Sequence, residues 1–396
     1  MTRAEACGGV AGRGPAAAPG PRLTRAAQAW RPPAGPRARA EPAGVASAGP
    51  LAALRGVLWL ALLASLIGCG TPGYLLRAGW SEARLLLHRQ PIAQLLARPD
   101  LPPGLRERLE LVLAVREFAG GRLGLRAGDS YTTFAEVPRD ATVYVVSAAR
   151  RDRLEAYDWG YPLVGRLPYR GFFSRAAAER AAGDLAARDL DTEVRPALAF
   201  STLGWFADPL LSSAAAEPPV AVAETVLHEL WHATLFVPGA AAFNESSATF
   251  AGHRGAIAFF CAGPGADRGR CSEARQRWAA VRARGRVLEH LAARLRRLYA
   301  TAPPPALRER VRLRLARAAA QALARRGAGG RDDLLPPNNA RLLGDLIYET
   351  RLGTFDALAP TDADLGPALA ALAGAARGAA DPFHALAALA REAERS

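Results

Sequence analysis

Not one of the 396 residues is lysine; all 51 basic side chains are arginine. Together with the heavy load of Ala, Gly and Pro, that usage reads as the mark of a GC-rich genome. It removes most of the meaning from a formal net charge of +14. Eight arginines against Glu5 and Glu41 place +6 of that charge in the first 55 residues. The rest is spread through amphipathic stretches, with no basic patch interleaved with aromatics on which single strands could stack. Nucleic-acid binding is therefore disfavoured. The chain has no internal repeats and no linker dividing two cores, so a single domain is expected. Cysteine is scarce, at four residues, and histidine is nearly so, at six.

Residues 1–54 are Ala, Pro, Gly and Arg in no periodic order and cannot bury a core. They read as a disordered extension, or as translation from a start codon that is not the one used. Next comes "LRGVLWLALLASLIGCG". Arg55 supplies a positive flank, and the apolar run to Gly68 falls short of the about 20 residues that cross a bilayer. Residues 55–68 fit a signal-peptide h-region instead. The ending Leu66-Ile67-Gly68-Cys69 resembles the bacterial lipobox, whose cysteine is lipidated and becomes the new N-terminus. A buried helix with an incidental cysteine is the alternative. The resemblance implies a membrane anchor at Cys69 and a place in the cell envelope. No aspartate follows the cysteine, which points to the outer membrane, facing the periplasm. Cys7 then belongs to the leader, leaving Cys261 and Cys271 in "FFCAGPGADRGRCSEA". In an oxidising compartment, two cysteines flanking a Gly/Pro/Asp loop read as a disulfide; two free thiols are the alternative.

Residues 69–396 are expected to form one α+β domain, predominantly helical, with a small N-terminal sheet region packed on a zincin-type helical site. "LPPGLRERLELVLAVREFAGGRLGL" places Leu105, Leu109, Val112 and Leu113 on one helical face, with Gly-Gly after it. "ATVYVVSAA" is a strand, and "VGRLPYRGFF" a second. "SRAAAERAAGDLAARDL" is a helix opening on Ser174, a good N-cap. "TEVRPALAFSTLGWFADPLL" is extended chain that turns at Asp208-Pro209. Beyond Glu273 the pattern is helical to the end, and "RVRLRLAR", which alternates like a strand, is assigned to a helix by its long Ala/Arg continuation.

The chemistry lies in "TVLHELWHATLFVPGAAAFNESSATF", Thr225 to Phe250. Residues four apart on a helix are separated by about 40° around the axis, so His228 and His232 can share one metal ion. Glu229 is rotated by about 100° from His228, a poor place for a ligand and a good one for a base acting on water. This is the His-Glu-x-x-His logic of zinc proteases. A catalytic zinc needs a third protein ligand and an open position. The long metzincin pattern would put glycine and histidine where Leu235 and Pro238 stand, so it fails. Instead Val237-Pro238-Gly239 breaks the helix and a second one opens near Phe243. A glutamate in the first turn of an antiparallel neighbour can point back at the histidines, and Glu245 is that residue. The gap from His232 requires a tight helical hairpin. Asn244 and His253 are expected behind the ligands, supporting them; a plain surface histidine is the alternative for His253. Tyr348 could stabilise an oxyanion, or be a core tyrosine. His88, His290 and His384 are assigned nothing. A buried helix with two satisfied histidines is the bland alternative to the whole site.

The stretches "GYLLRAGWSEARLLLHRQPIAQLL", "YRGFF", "FSTLGWFADPLL", "LHELWH", "FNESSATF" and "PNNARLL", behind a lipobox cysteine, resemble the bacterial putative aminopeptidase family of predicted lipoproteins. "FNESSATF" also resembles the second motif of the gluzincins. The resemblance implies an envelope-anchored, zinc-dependent peptidase of gluzincin type holding one Zn2+ ion and acting on peptides, with "FSTLGWF" as an edge strand for an extended substrate; an ordinary core strand is the alternative for that stretch. Trp231 departs from the small residue the family tends to carry there, and crowding of the site is the expected consequence. The competing function is a non-catalytic zinc-binding envelope lipoprotein. Glu229 discriminates, because a structural zinc has no need of a base.

Overall fold

A computed structural model describes residues 89–137, 143–161, 165–172, 174–197, 208–325 and 337–395. The leader, Cys69 and the "FSTLGWF" stretch lie outside the described residues. Strand β1 (Gln90–Pro91) leads into α1 (Ile92–Leu96) and the long α2 (Pro103–Leu123). Then come β2 (Thr133–Ala135), β3 (Val143–Arg150), β4 (Trp159–Tyr161), β5 (Gly165–Leu167) and β6 (Tyr169–Phe172). Helix α3 (Arg175–Ala186), β7 (Leu190–Ala197), β8 (Leu210–Leu211) and α4 (Ser212–Ala215) follow. From there the described chain is helical: α5 (Pro219–Thr234), α6 (Ala241–Ala262), α7 (Arg268–Ala300), α8 (Pro305–Arg325), α9 (Asn339–Glu349), α10 (Leu352–Asp356), α11 (Leu365–Ala376) and α12 (Pro382–Ala393). This is the expected α+β class, predominantly helical with a small sheet region. Among the described residues no helix is long and apolar enough to cross a membrane.

The main sheet has the order β6-β3-β7, antiparallel throughout. Val146 and Ala148 of β3 pack on Ala178, Ala182 and Leu185 of α3. Ser174 caps α3 as expected, accepting from the Ala177 amide. The stretch expected as one strand around Leu167 is two. Pro168 cannot donate to a ladder, so Gly165–Leu167 pairs with β4 while Tyr169–Phe172 pairs with β3. A second small sheet, β1-β2-β8, mixes antiparallel and parallel pairing.

Helix α2 also departs from expectation. It runs through Gly120-Gly121 to Leu123, and Gly124 ends it in the left-handed conformation at φ 69°. Each internal glycine costs about 1 kcal/mol of helix propensity, but Leu123 beyond them is buried in the core and holds the last turn. Of the face expected to be buried, Leu109 and Val112 are fully inside, while Leu105 and Leu113 only pack against the core.

That core joins α2, α5, α6, the start of α7 and α10 to α12. A smaller cluster joins the rest of α7 to α8 and α9. Helix α9 bridges sheet and helices, and the asparagines of "PNNARLL" explain how. Asn338 caps α9 through the Arg341 amide at 2.9 Å and donates to the Thr192 carbonyl of β7. Asn339 donates to the Arg150 carbonyl of β3, while its own amide reaches the buried Asp191. Arg195 of β7 and Arg284 of α7 both pair with Asp345 at 2.7 Å. The helix carrying Tyr348 is therefore tied to the sheet at one end and to the core helices at the other.

Candidate metal centre

Helix α5 starts on a proline, whose missing N–H costs nothing at that position, and buries Val220, Val222, Ala223, Val226, Leu227, Leu230 and Trp231. It stops at Leu235, whose backbone is extended; in a continued helix Pro238 would have no N–H to give the Thr234 carbonyl and its ring would clash with it. Asn244 closes the turn to α6. Its side chain accepts from the Val237 amide at 2.9 Å and donates to the Val237 carbonyl at 2.8 Å. Asn244 thus holds the hairpin shut, and among the described residues no hydrogen bond links it to the histidines. Helix α6 opens at Ala241, earlier than expected, which puts Glu245 in its second turn.

The two helices cross with almost nothing between them. A Cβ on Gly252 would lie 2.6 Å from the Glu224 carbonyl oxygen and 3.3 Å from the Cβ of His228. Trp231 does not crowd the site. It is fully buried in the core and donates its indole N–H to Ser247 at 2.9 Å. Ser246, the next residue after Glu245, donates to the Ile347 carbonyl and accepts from the Thr350 amide, both at 3.0 Å. Those two bonds fix the end of α9 against α6. Tyr348 there lies over His228, with ring centroids 6.4 Å apart and planes at 28°. It is 46% exposed, so it is not a core tyrosine.

This packing brings three groups to one point. The Nε2 atoms of His228 and His232 are 3.1 Å apart, and a Glu245 carboxylate oxygen is 3.3 Å from the first and 3.4 Å from the second. The side chains are 19%, 18% and 27% exposed, so the point is shielded but not closed to solvent. Two imidazole nitrogens and a carboxylate oxygen facing one another are mostly lone pairs, and they coexist only by sharing a proton or a cation. The titration behaviour reflects this. Burial works against ionisation of Glu245, but its bonds to His228 and His232 outweigh it and hold the carboxyl down at about 2. Burial likewise opposes charge on His232, and the Glu245 and Glu229 carboxylates overcome it and raise its pKa.

The fit to a metal can be tested on these distances. Four-coordinate zinc with bonds of about 2.0–2.1 Å sets its ligand atoms about 3.3 Å apart, and the three observed separations bracket that value. Two nitrogens and one oxygen are also a donor set zinc takes. The residues fit.

Glu229 lines a cavity of about 270 Å³ together with His228, Glu224, Thr225, Thr249, Gly252 and His253. Its charge also raises the pKa of two tyrosines. Tyr348 is shifted up by partial desolvation against the packed helices, then by Glu245, Tyr169 and Glu229; Tyr131 by full burial, then by Glu229 and Asp208. Among the described residues, His253 makes no hydrogen bond, ion pair or ring contact with the three converging groups. Its Nδ1 is 2.7 Å from Glu224, off the line of a good hydrogen bond, and its ring stacks on Trp278 at 5.5 Å. Arg277 grips the same Glu224 through both carboxylate oxygens, at 2.6 to 3.1 Å. Cys261 of α6 and Cys271 of α7 are joined by a disulfide, with Cα atoms 4.8 Å apart.

Three of these residues escaped the reading of the sequence. Glu224 could have been found, since it lies four before His228 and so shares its helix face. Gly252 could have been suspected, as a glycine inside an otherwise good helix. Tyr131 could not, because only the fold brings the β2 loop toward Glu229.

A family profile described as "Putative aminopeptidase" matches residues 73–366, well over half of the chain. The chain belongs to that family, whose name denotes hydrolysis of peptides. No curated protein and no solved structure matches it.

Proposed function

We propose that the protein is a zinc-dependent peptidase of gluzincin type, an aminopeptidase, with His228, His232 and Glu245 as the ligands of one Zn2+ ion on a zincin-type helical site. The observation that carries this reading is the near-equilateral triangle of ligand atoms, with sides of 3.1, 3.3 and 3.4 Å. Family membership supports peptides as substrate. When bound, zinc supplies Lewis acidity, polarising a carbonyl and acidifying water.

The chain supplies the rest. Glu229 is the general base: it shares the cavity with His228 but is not one of the converging groups. It takes a proton from the attacking water and returns it to the leaving amine nitrogen as the peptide bond breaks. Tyr348, held over His228 by the Ser246 bonds, keeps its phenolic proton at neutral pH and donates to the oxygen that becomes negative. Asn244 sets the hairpin that aims Glu245, and Gly252 sets the distance between the two ligand-bearing helices.

The leader supports an envelope location, with Cys69 as lipid anchor and the domain facing the periplasm from the outer membrane. Intact-mass analysis of membrane-extracted protein tests that half; a soluble product retaining Met1 would contradict it. Elemental analysis of purified protein tests the metal. One zinc per chain is expected, lost on replacing His232 by Ala. Wild-type protein without metal after zinc supplementation would sink the reading.

A further inference from the structure

The cavity beside the three converging groups has a composition that a peptidase site does not need merely to break a bond. Its walls are Glu224, Thr225, His228, Glu229, Thr249 and His253, with Gly252 leaving room between the helices. No arginine and no large apolar side chain lines it. Several of its polar groups are unspent. Thr249 is 8% exposed, and among the described residues its hydroxyl makes no hydrogen bond. The same holds for the Thr225 hydroxyl, the Nε2 of His253 and the Glu229 carboxylate. Buried polar groups are nearly always paired, so the unbonded hydroxyl of buried Thr249, turned with three half-buried polar groups into one small cavity, is set up for a ligand.

The ligand's chemistry follows from the lining. Two carboxylates, two hydroxyls and an imidazole are acceptors or can act as acceptors; Arg277 offsets Glu224 from behind, and Glu229 leaves the net charge they present negative. An anion is repelled there, and an apolar side chain would strand the two hydroxyls, the Nε2 of His253 and the Glu229 carboxylate unpaired. A compact, cationic, donor-rich group satisfies them. Glu224, fixed from behind by Arg277, holds His253 in place, and Trp278 stacks on the other side of the ring. His253 is therefore not free to swing away.

We propose that this cavity is the subsite for the protonated α-amine of a peptide substrate, with His253 and Thr249 as the groups that bind it and Glu224 as the residue that positions His253. This rests on the peptidase reading above and adds to it a reason for cutting next to a free amino terminus. The ammonium would sit one helical turn from His228, and the first peptide bond of the chain would then face Glu229.

The test compares trialanine with N-acetyl-trialanine. The wild-type holoenzyme should prefer the free amine by on the order of a hundredfold in kcat/KM, about 2.7 kcal/mol. His253→Gln and the nearly isosteric Thr249→Val should each cut that preference at least tenfold, mainly through KM, while zinc stays at one per chain. Glu224→Gln should do the same with some loss of stability, because Arg277 loses its partner. A wild-type enzyme that cleaves both peptides equally overturns the inference and leaves the peptidase reading standing. So does an unchanged preference in both His253→Gln and Thr249→Val. A wild-type protein that holds no zinc and cleaves neither peptide overturns both.

Discussion

Replacing Gly252 by Ala is the sharpest probe of how the helices set the site. The new Cβ would lie 2.6 Å from a backbone oxygen of Glu224, where ordinary contact begins near 3.4 Å. A backbone atom in the middle of a helix cannot swing aside, so α5 and α6 must part by about 0.8 Å, an overpacking expected to cost about 1–3 kcal/mol. The three converging atoms straddle that interface. The separation of His228 from His232 lies within α5 and should hold at 3.1 Å, while the two distances to Glu245 cross the gap. Those should lengthen toward about 4 Å, beyond what tetrahedral zinc allows. Rotation of the Glu245 side chain recovers part of the loss, so zinc affinity should fall about tenfold, or 1.4 kcal/mol. Thermal unfolding of the metal-free proteins and competition with a chromophoric chelator measure the two terms separately. Gly183→Ala in α3 is the control. Nothing lies within 4 Å of its new Cβ, and it should stabilise by roughly 0.5–1 kcal/mol. If Gly252→Ala melts with the wild type and binds zinc as tightly, helix spacing does not govern the site.

Three other perturbations follow from the same contacts. Asn244→Ala strands the Val237 amide, while the Val237 carbonyl keeps its bond from the Ala240 amide at 3.2 Å, and should cost about 1–2 kcal/mol; a melting curve unchanged from wild type would mean that the turn holds itself. Removing the disulfide with Cys261→Ala and Cys271→Ala opens a short loop and should cost roughly 2–3 kcal/mol, read as a lower denaturation midpoint, with no alkylatable thiols in the non-reduced wild type. Burial opposes the charge on Glu224, but His253 and Arg277 together keep its pKa below the ordinary value. A depressed carboxyl stabilises the fold above its unfolded pKa of about 4.5 and loses that contribution as pH falls through the folded value. Acid unfolding of the wild type should therefore show a component below about pH 4.5 that Glu224→Gln lacks; identical profiles would contradict it.

Much of this arrangement could be read from residue spacing, and the reasons for the exceptions are physical. The helical hairpin was legible because two local signals agree: a 3.6-residue pattern on either side and Val237-Pro238-Gly239 between. Ser174 was legible because an N-cap is a local hydrogen bond. The convergence of His228, His232 and Glu245 required only helix geometry and a tight turn. What escaped was set by tertiary contact. The length of α2 is decided by the burial of Leu123, which outweighs two glycines. The division of "VGRLPYRGFF" into two strands depends on which neighbours flank Pro168. Asn244 looks like a partner for Glu245 in sequence, and its bonds to Val237 appear only once the loop is closed. Trp231 looks like an obstruction because it stands between Glu229 and His232, and in the fold its indole belongs to the core.

The claim on which the account turns is that Glu229 acts on water beside a metal it does not hold. Glu229→Gln keeps the shape and both helices and removes only the base. Measured on one preparation, the variant should carry one zinc per chain, as the wild type does, and hydrolyse trialanine at least a thousandfold more slowly, about 4 kcal/mol in the barrier. Full peptidase activity in Glu229→Gln would contradict the catalytic assignment, and loss of zinc from it would make Glu229 a ligand.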